Sequence, residues 1–104
     1  MTAYRLTPGR AEKLIRQISQ ESVNVIFGDH ARARMLDREI TDIDVFRVLR
    51  TGGIVGAPEP AERGEWKCKM VQRARGGRDI GVVAIILRDK KLFIKIVEWE
   101  DTRR

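Results

Sequence analysis

Val82-Val83-Ala84-Ile85-Ile86-Leu87 is the longest apolar run of the chain, and it decides the expected fold. Successive side chains of a strand point to opposite faces, so a strand that is apolar on both sides must be covered to some degree on both faces. The run therefore predicts the central strand of a sheet, from about Ile80 to Leu87. It is far too short to cross a bilayer as a helix.

Two alternating segments flank this strand, at about residues 65–73 and 91–99. They are joined to it by Arg75-Gly76-Gly77-Arg78 and Arg88-Asp89-Lys90, which have the length of hairpin connections. Hairpins imply antiparallel neighbours. The C-terminal half therefore predicts a three-stranded antiparallel unit with the apolar strand in its middle.

The N-terminal half carries the start and stop signals of helices. Thr7-Pro8 predicts the N-cap and first residue of a helix over Gly9 to Ser19. Asp29 is the expected N-cap of a second helix, and Thr41-Asp42-Ile43-Asp44 is a capping-box variant that opens a third. Gly52-Gly53 is expected to end the third helix.

Two shorter segments complete the expected elements. The alternation of Val23, Val25 and Phe27 predicts a short strand before the second helix. In the third helix, Ile43 belongs to a stripe with Phe46 and Leu49 that is expected to pack on the core. The glycine- and proline-containing stretch 52–64 is expected to be a loop.

The length and composition fit one domain. The 104 residues are 42% hydrophobic and 35% charged, which suits a single modest core, so residues 1–104 are expected to form one α+β domain. The N-terminus has no apolar signal core, and we expect an unsecreted, cytoplasmic protein without a membrane segment.

The charge balance points to an anionic partner. Lys and Arg number 21 against 15 acidic residues, giving a formal net charge of +6. A basic domain of this size attracts a polyanion such as nucleic acid, although the same positive charge would also attract an acidic protein.

Metal and thiol chemistry are disfavoured. One Cys and one His cannot supply the ligands of a usual zinc site, and no acidic motif indicates magnesium, so no metal or other cofactor is expected. Cys68 shares a strand side with Trp66 and Met70 and is expected to be a buried small hydrophobe.

His30, Arg34 and Arg38 place the only histidine at four-residue spacing from two arginines. On a helix these side chains share one face, where an imidazole beside fixed positive charge suits phosphate handling. The alternative is structural: a histidine near a helix start and a solvated basic face whose arginines pair with Asp37, Asp42 or Asp44.

A second basic group lies in the strand half. Lys67, Lys69 and Arg73 occupy alternate positions of one strand, and Lys95 on the last strand could join them. Such a stripe could bind RNA, but lysines on an edge strand also discourage aggregation. Trp66 and Trp99 could stack on bases, but core packing is the favoured explanation for both, since large aromatic residues dominate small cores.

The chain resembles a bacterial family known as domain of unknown function 4258. The pattern is His30-Ala31-x-x-Arg34-Met35-x-x-Arg38-x-Ile40-Thr41-x-x-x-Val45-x-x-x-Leu49-x-x-Gly52, and the likeness covers roughly Val25 to Trp99. It divides the chain into an N-terminal helix extension, 1–22, and a family core, 23–100. Glu39 stands where the family usually has Gly, which is expected to oppose a left-handed turn and to offset the charge of Arg38.

The resemblance implies a fold and an activity. Members are similar in element order and size to RelE-like and MqsR-like toxin ribonucleases, which implies helices packed on a curved antiparallel sheet of about 3–4 strands, RelE- or barnase-like. The implied function is a toxin-type, metal-independent endoribonuclease that cleaves RNA, mRNA above all, by 2′-hydroxyl attack. A zinc-finger antitoxin of the MqsA kind is the implied protein partner.

The implied roles fall on two sets of residues. His30 would act as base or acid, and Arg34 and Arg38 would hold the phosphate. Further RNA contacts are expected from Arg32, Lys67, Lys69, Arg73 and Lys95. The competing hypothesis is a non-catalytic basic domain that binds RNA or an antitoxin.

Overall fold

The computed structural model describes residues 5–100. They form a single α+β domain, as expected. Its elements, in chain order, are α1 (Pro8–Ile18), β1 (Val25–Phe27), α2 (Asp29–Arg38), α3 (Asp42–Thr51), β2 (Gly53–Pro60), β3 (Trp66–Arg73), β4 (Asp79–Ile86) and β5 (Leu92–Trp99).

The five strands form one sheet in the order β1-β5-β4-β3-β2. Strands β2 to β5 pair antiparallel, and β4 is central, which confirms the position predicted for the apolar run. The sheet has one strand more than the upper expectation of four. It is also mixed, because β1 pairs parallel with β5, with Val25 opposite Leu92.

The extra strand is β2, which falls in the stretch expected to be a loop. Its pairing with β3 is interrupted between Val55 and Glu59, and Gly56 has a positive φ of 75°. An edge strand with a bulge tolerates glycine, and it tolerates proline, which lacks the N–H that a regular ladder needs. The turn residues of this stretch therefore mark an irregular edge strand.

All three helices pack on one face of the sheet. The buried side chains of the strands alternate along β3, β4 and β5 and meet α2 and α3, while α1 covers β2. The core between these layers contains Ile15, Met35, Val45, Leu49, Met70, Ile80, Val82, Leu92, Ile94 and Val97, among others. The opposite face of the sheet, here called the open face, has no helix from residues 5–100 on it.

Helix α1 is part of this core. Its buried residues are Ala11, Ile15 and Ile18. Glu12 Oε1 accepts a 2.9 Å hydrogen bond from the Ile54 backbone N–H, and the Arg16 side chain donates to the Gly52 carbonyl at 2.7 Å. The helix therefore covers the beginning of the edge strand β2.

Two of the three predicted helix starts are confirmed. The Thr7 hydroxyl accepts from the Arg10 N–H before α1, and Thr41 and Asp44 form a reciprocal capping box before α3. The N-cap of α2 is Gly28 rather than Asp29. A Cβ at residue 28 would lie 2.6 Å from the Phe93 ring, so the chain needs glycine there, and Asp29 becomes the first helical residue.

Two apolar residues are not where the pattern predicted them. Ile43 is 79% exposed, so the buried face of α3 is formed by Val45, Val48 and Leu49. Val23 is 80% exposed and belongs to a 3₁₀ turn, Ser22–Asn24, ahead of the short strand.

Glu39 adopts the left-handed conformation after α2, with φ 58° and ψ 42°. The Glu39 and Ile40 N–H groups donate to the carbonyls of Leu36 and Met35, which is the Schellman arrangement. The glutamate therefore does not prevent a left-handed turn at this position, contrary to expectation.

Candidate functional site

The helix α2 presents His30, Arg34 and Arg38 on one flank. Ala31 and Met35 are buried against the core, which directs the neighbouring positions of the helix outward. All three side chains are exposed, one helical turn apart. This row, here called the α2 flank, has the arrangement predicted from the spacing.

Within the described residues, the side chains of this row make few hydrogen bonds or ion pairs. Arg34 lies 3.7 Å from Asp37 in a weak i,i+3 ion pair. Within residues 5–100, the side chains of His30 and Arg38 make no hydrogen bond or ion pair. The imidazole and one guanidinium are therefore open to an anion from solution.

Arg32 lies on the other flank of α2. Its guanidinium pairs with both carboxylate oxygens of Asp42 and stacks 4.0 Å from the centre of the Phe27 ring. The structure therefore places this predicted RNA contact beside α3, away from the row.

A basic hollow of about 300 Å³ continues the α2 flank at its C-terminal end. Its lining consists of Arg38, Glu39, Arg75, Gly76, Arg78 and Trp99. The Arg78 guanidinium lies 4.0 Å from the centre of the Trp99 ring, and that of Arg75 lies at 5.7 Å. Two arginines thus lie over one aromatic ring, and Arg38 lines the same hollow.

Arg75 is fixed in place by two other elements. Its guanidinium bonds both carboxylate oxygens of Asp44, at 2.8 and 2.7 Å, and the Glu39 carbonyl at 2.6 Å. Burial raises the pKa of the Asp44 carboxyl, but the hydrogen bonds from Arg75 and Thr41 outweigh it, so the net pKa is lowered. Asp44 therefore stays ionised and holds the hairpin tip against the α2–α3 connection.

The sequence reasoning did not identify this hollow. Arg75 and Arg78 were read only as parts of a hairpin connection. The available signal was the pair of arginines that brackets Gly76-Gly77, at the tip of a hairpin that ends near Trp99. Trp66 and Trp99 both pack partly buried against the core.

Three of the strand cations, Lys67, Lys69 and Arg73, lie on the open face, as the alternation predicted, and each has a carboxylate partner. Lys67 is 3.4 Å from Glu59 and Arg73 is 2.7 Å from Asp79. Lys95, at an irregularity of β5, is exposed and lines a hollow with Lys67 and Ile85.

Lys69 is the most enclosed of these cations. Its ammonium is 2.9 Å from Glu100 and 3.5 Å from Glu98. Burial lowers its pKa, but the hydrogen bond and charge of Glu100, with Glu98, outweigh this and raise it overall. Lys69 is therefore a charged member of a half-buried ion cluster.

The sheet separates the two basic groups. The α2 flank and the basic hollow belong to the helical side of the domain, whereas Lys67, Lys69 and Arg73 lie on the open face. The structure therefore brings His30, Arg34 and Arg38 together, adds Arg75 and Arg78, and does not join them to the strand cations.

Other chemistries find no support within residues 5–100. Cys68 is buried, and burial raises the pKa of its thiol to about 11, which confirms the predicted packing role. No group of three or more metal-ligating side chains occurs in this part of the chain. In the same range, no helix has the length and apolarity needed to span a membrane.

Comparison with known proteins gave one match. A family model described as domain of unknown function (DUF4258) matches residues 27–98. No curated protein and no solved structure matches the chain. The matched region begins within β1 and ends within β5, so α1 lies outside it.

Proposed function

The chain belongs to the DUF4258 family, and from that premise we propose that it is a toxin-type endoribonuclease that cleaves RNA without a metal ion. The observation that carries the proposal is the α2 flank, where an exposed imidazole and two guanidiniums lie one turn apart. The basic hollow extends this row beyond Arg38.

The proposed reaction is attack of a ribose 2′-hydroxyl on the adjacent phosphate. The O2′–P bond forms, the P–O5′ bond breaks, and protons leave O2′ and reach O5′. His30 serves as base for the first transfer or acid for the second, because an imidazole ring can both accept and donate a proton. Arg34 and Arg38 stabilise the charge that develops on the phosphate.

The RNA path follows from the same geometry. A strand that reaches Arg38 next meets the hollow lined by Trp99, whose aromatic ring can stack on a base. Lys67, Lys69, Arg73 and Lys95 remain predicted contacts. The ion pairs of the first three would have to open before they could bind RNA.

The cellular setting comes from the family resemblance. The proposal assigns the protein to the cytoplasm, with mRNA as substrate and a zinc-finger antitoxin of the MqsA kind as inhibitor. Overexpression is then expected to arrest growth, and His30→Ala to relieve the arrest.

A cleavage assay in excess chelator tests the activity. Wild type is expected to cut RNA, His30→Ala to be slower by about 100-fold or more, and Arg38→Ala by about 10-fold or more. Arg10→Ala, an exposed arginine on α1, is the matched control and should keep the full rate. Equal cleavage by wild type and His30→Ala, or none by either, would refute the catalytic role.

The second candidate is a non-catalytic RNA-binding domain. The observation that favours it is that no residue between 5 and 100 hydrogen-bonds to the His30 side chain, so nothing in this range orients the ring. This candidate predicts RNA affinity that falls steeply with salt while the RNA stays intact.

A further inference from the structure

The basic hollow has one carboxylate on its wall that the arginines around it do not bind. Glu39 lines the hollow together with Arg38, Arg75, Arg78 and Trp99. Its side chain is exposed and makes no hydrogen bond or ion pair with any described residue. The Arg75 guanidinium bonds the Glu39 backbone carbonyl, at 2.6 Å, rather than the carboxylate. The carboxylate is therefore available to a ligand.

Glu39 occupies this position in a backbone conformation that glycine adopts more easily. Its φ of 58° and ψ of 42° lie in the left-handed region, where a Cβ is strained. The turn itself needs no carboxylate, because its hydrogen bonds come from the backbone N–H groups of Glu39 and Ile40. Strained residues of this kind cluster at ligand-binding sites. The strain at Glu39 therefore points to a role for its side chain.

The carboxylate argues against a site for phosphate alone. A hollow that bound only a phosphate would gain nothing from Glu39, because like charges repel. A ligand that suits the whole lining offers hydrogen-bond donors to Glu39, acceptors to a guanidinium and a flat ring to Trp99. A nucleobase combines these three properties, since its edges carry donors and acceptors and its face stacks on aromatic side chains.

Guanine is the RNA base whose edges match this lining. Its N1–H and N2 amino group are adjacent donors, which the two oxygens of one carboxylate can accept together. Its O6 and N7 are adjacent acceptors, which suit an arginine. Adenine and cytosine place an acceptor nitrogen beside their amino group, and uracil has its N–H between two carbonyls. Each of these three bases would therefore set an acceptor against the carboxylate.

We propose that the basic hollow is a guanine-selective subsite, in which Glu39 accepts from N1–H and the N2 amino group. The subsite rests on the proposed function, in which the ligand is RNA. Arg75 is the guanidinium best placed to bind O6 and N7, because Asp44 and the Glu39 carbonyl hold it rigidly. It makes three hydrogen bonds to them, fewer than the five that a guanidinium can donate. Arg38 remains the phosphate contact beside the base.

Fluorescence anisotropy with labelled 2′-O-methyl oligonucleotides tests the subsite without cleavage, since these strands lack the hydroxyl that would attack the phosphate. The probes are short adenine strands that carry one guanine, one inosine or no substitution at the centre. Wild type is expected to bind the guanine probe about 5-fold or more tightly than the adenine probe. Inosine lacks the N2 amino group, so its probe should bind more weakly than the guanine probe.

Glu39→Gln keeps the size of the side chain and replaces one acceptor oxygen by a donor. This variant is expected to lose the guanine preference and to bind the guanine and inosine probes with equal Kd. Glu21→Gln is the matched control, because it removes the same charge from an exposed glutamate after α1 and should keep the preference. Circular dichroism and the Tm of each variant confirm that it is folded.

Three results would overturn the subsite: equal Kd of wild type for the guanine and adenine probes, a guanine preference that survives Glu39→Gln, or no binding of any probe. A guanine preference that depends on Glu39, in a protein that leaves unmodified RNA intact, supports the subsite and refutes the ribonuclease proposal. The two proposals can therefore fail separately.

Discussion

The indole Nε1 of Trp99 donates a hydrogen bond to the backbone carbonyl of Arg38 at 3.2 Å. This bond joins the last strand of the sheet to the end of α2, where the left-handed turn begins. It also sets the distance between the α2 flank and the hairpin tip, because Arg78 is stacked on the same ring.

Trp99→Phe is expected to destabilise the domain by about 1–2 kcal/mol, since it removes the hydrogen bond and weakens the cation–π contact. Urea unfolding measures the change. Trp66→Phe is the matched control, because Trp66 packs on the same core without such a bond to α2, and it should cost less. Equal losses would show that ring area alone matters.

Asp44→Ala removes half of the capping box and the partner of Arg75, so a loss of about 2 kcal/mol is expected at neutral pH. The folded-state pKa of Asp44 is lowered from 3.8, so its ionic contribution is present above that value and disappears as pH falls through the folded pKa. Unfolding free energies of the two proteins should therefore converge in acid. Asp42→Ala, at an exposed ion pair, should cost under about 1 kcal/mol at neutral pH.

Glu39→Gly is expected to stabilise the domain by about 1 kcal/mol, because a residue with a Cβ is strained at φ 58°. Glu39→Ala keeps the strain and removes only the charge, so its stability should stay near that of wild type. If alanine stabilised as much as glycine, charge rather than backbone conformation would be the cause.

Gly52→Ala is expected to cost about 3 kcal/mol or more, because its Cβ would lie 2.5 Å from the Val48 carbonyl oxygen and 2.6 Å from that of Val71. Both obstacles are backbone atoms. At Gly81 the nearest atoms are instead the ends of the Glu100 and Lys69 side chains, which can move. Thermal unfolding of Gly81→Ala should therefore show a loss below about 1 kcal/mol.

Arg38→Ala should reduce the salt dependence of RNA binding. Each lost phosphate contact lowers the magnitude of the slope of log K against log salt by about 0.7–1. Fluorescence anisotropy with a non-cleavable single strand gives the slope. Arg10→Ala should leave it unchanged, and a slope equal to wild type in Arg38→Ala would place the RNA elsewhere.

Local signals predicted much of this fold. Thr7, Thr41 and Asp44 act through neighbours a few residues away, so their pattern was sufficient to locate two helix starts. The central strand was equally clear because the residues from Val82 to Leu87 form an uninterrupted apolar run. The start of α2 was missed by one residue because Gly28 is required by Phe93, a contact distant in sequence.

The sequence pattern did not predict pairings between segments that are far apart in the chain. The strand β2 has the composition of a loop, and only α1 and β3 make it part of the sheet. The row of His30, Arg34 and Arg38 followed from helical spacing. The basic hollow could not be predicted in this way. Arg75 is held near Arg38 by its bonds to Asp44 and to the Glu39 carbonyl, which are more than thirty residues away in the chain.

The parallel pairing of β1 with β5 also constrains the order in which the domain folds. Val25 finds its partner Leu92 only after every intervening element has been made, and closing so long a segment is entropically costly. Until β5 has been synthesised, α2 lacks the strand it packs on and the tryptophan that supports its end. The nascent chain therefore carries its basic helix without the strand that orients it, and the α2 flank reaches its final position last.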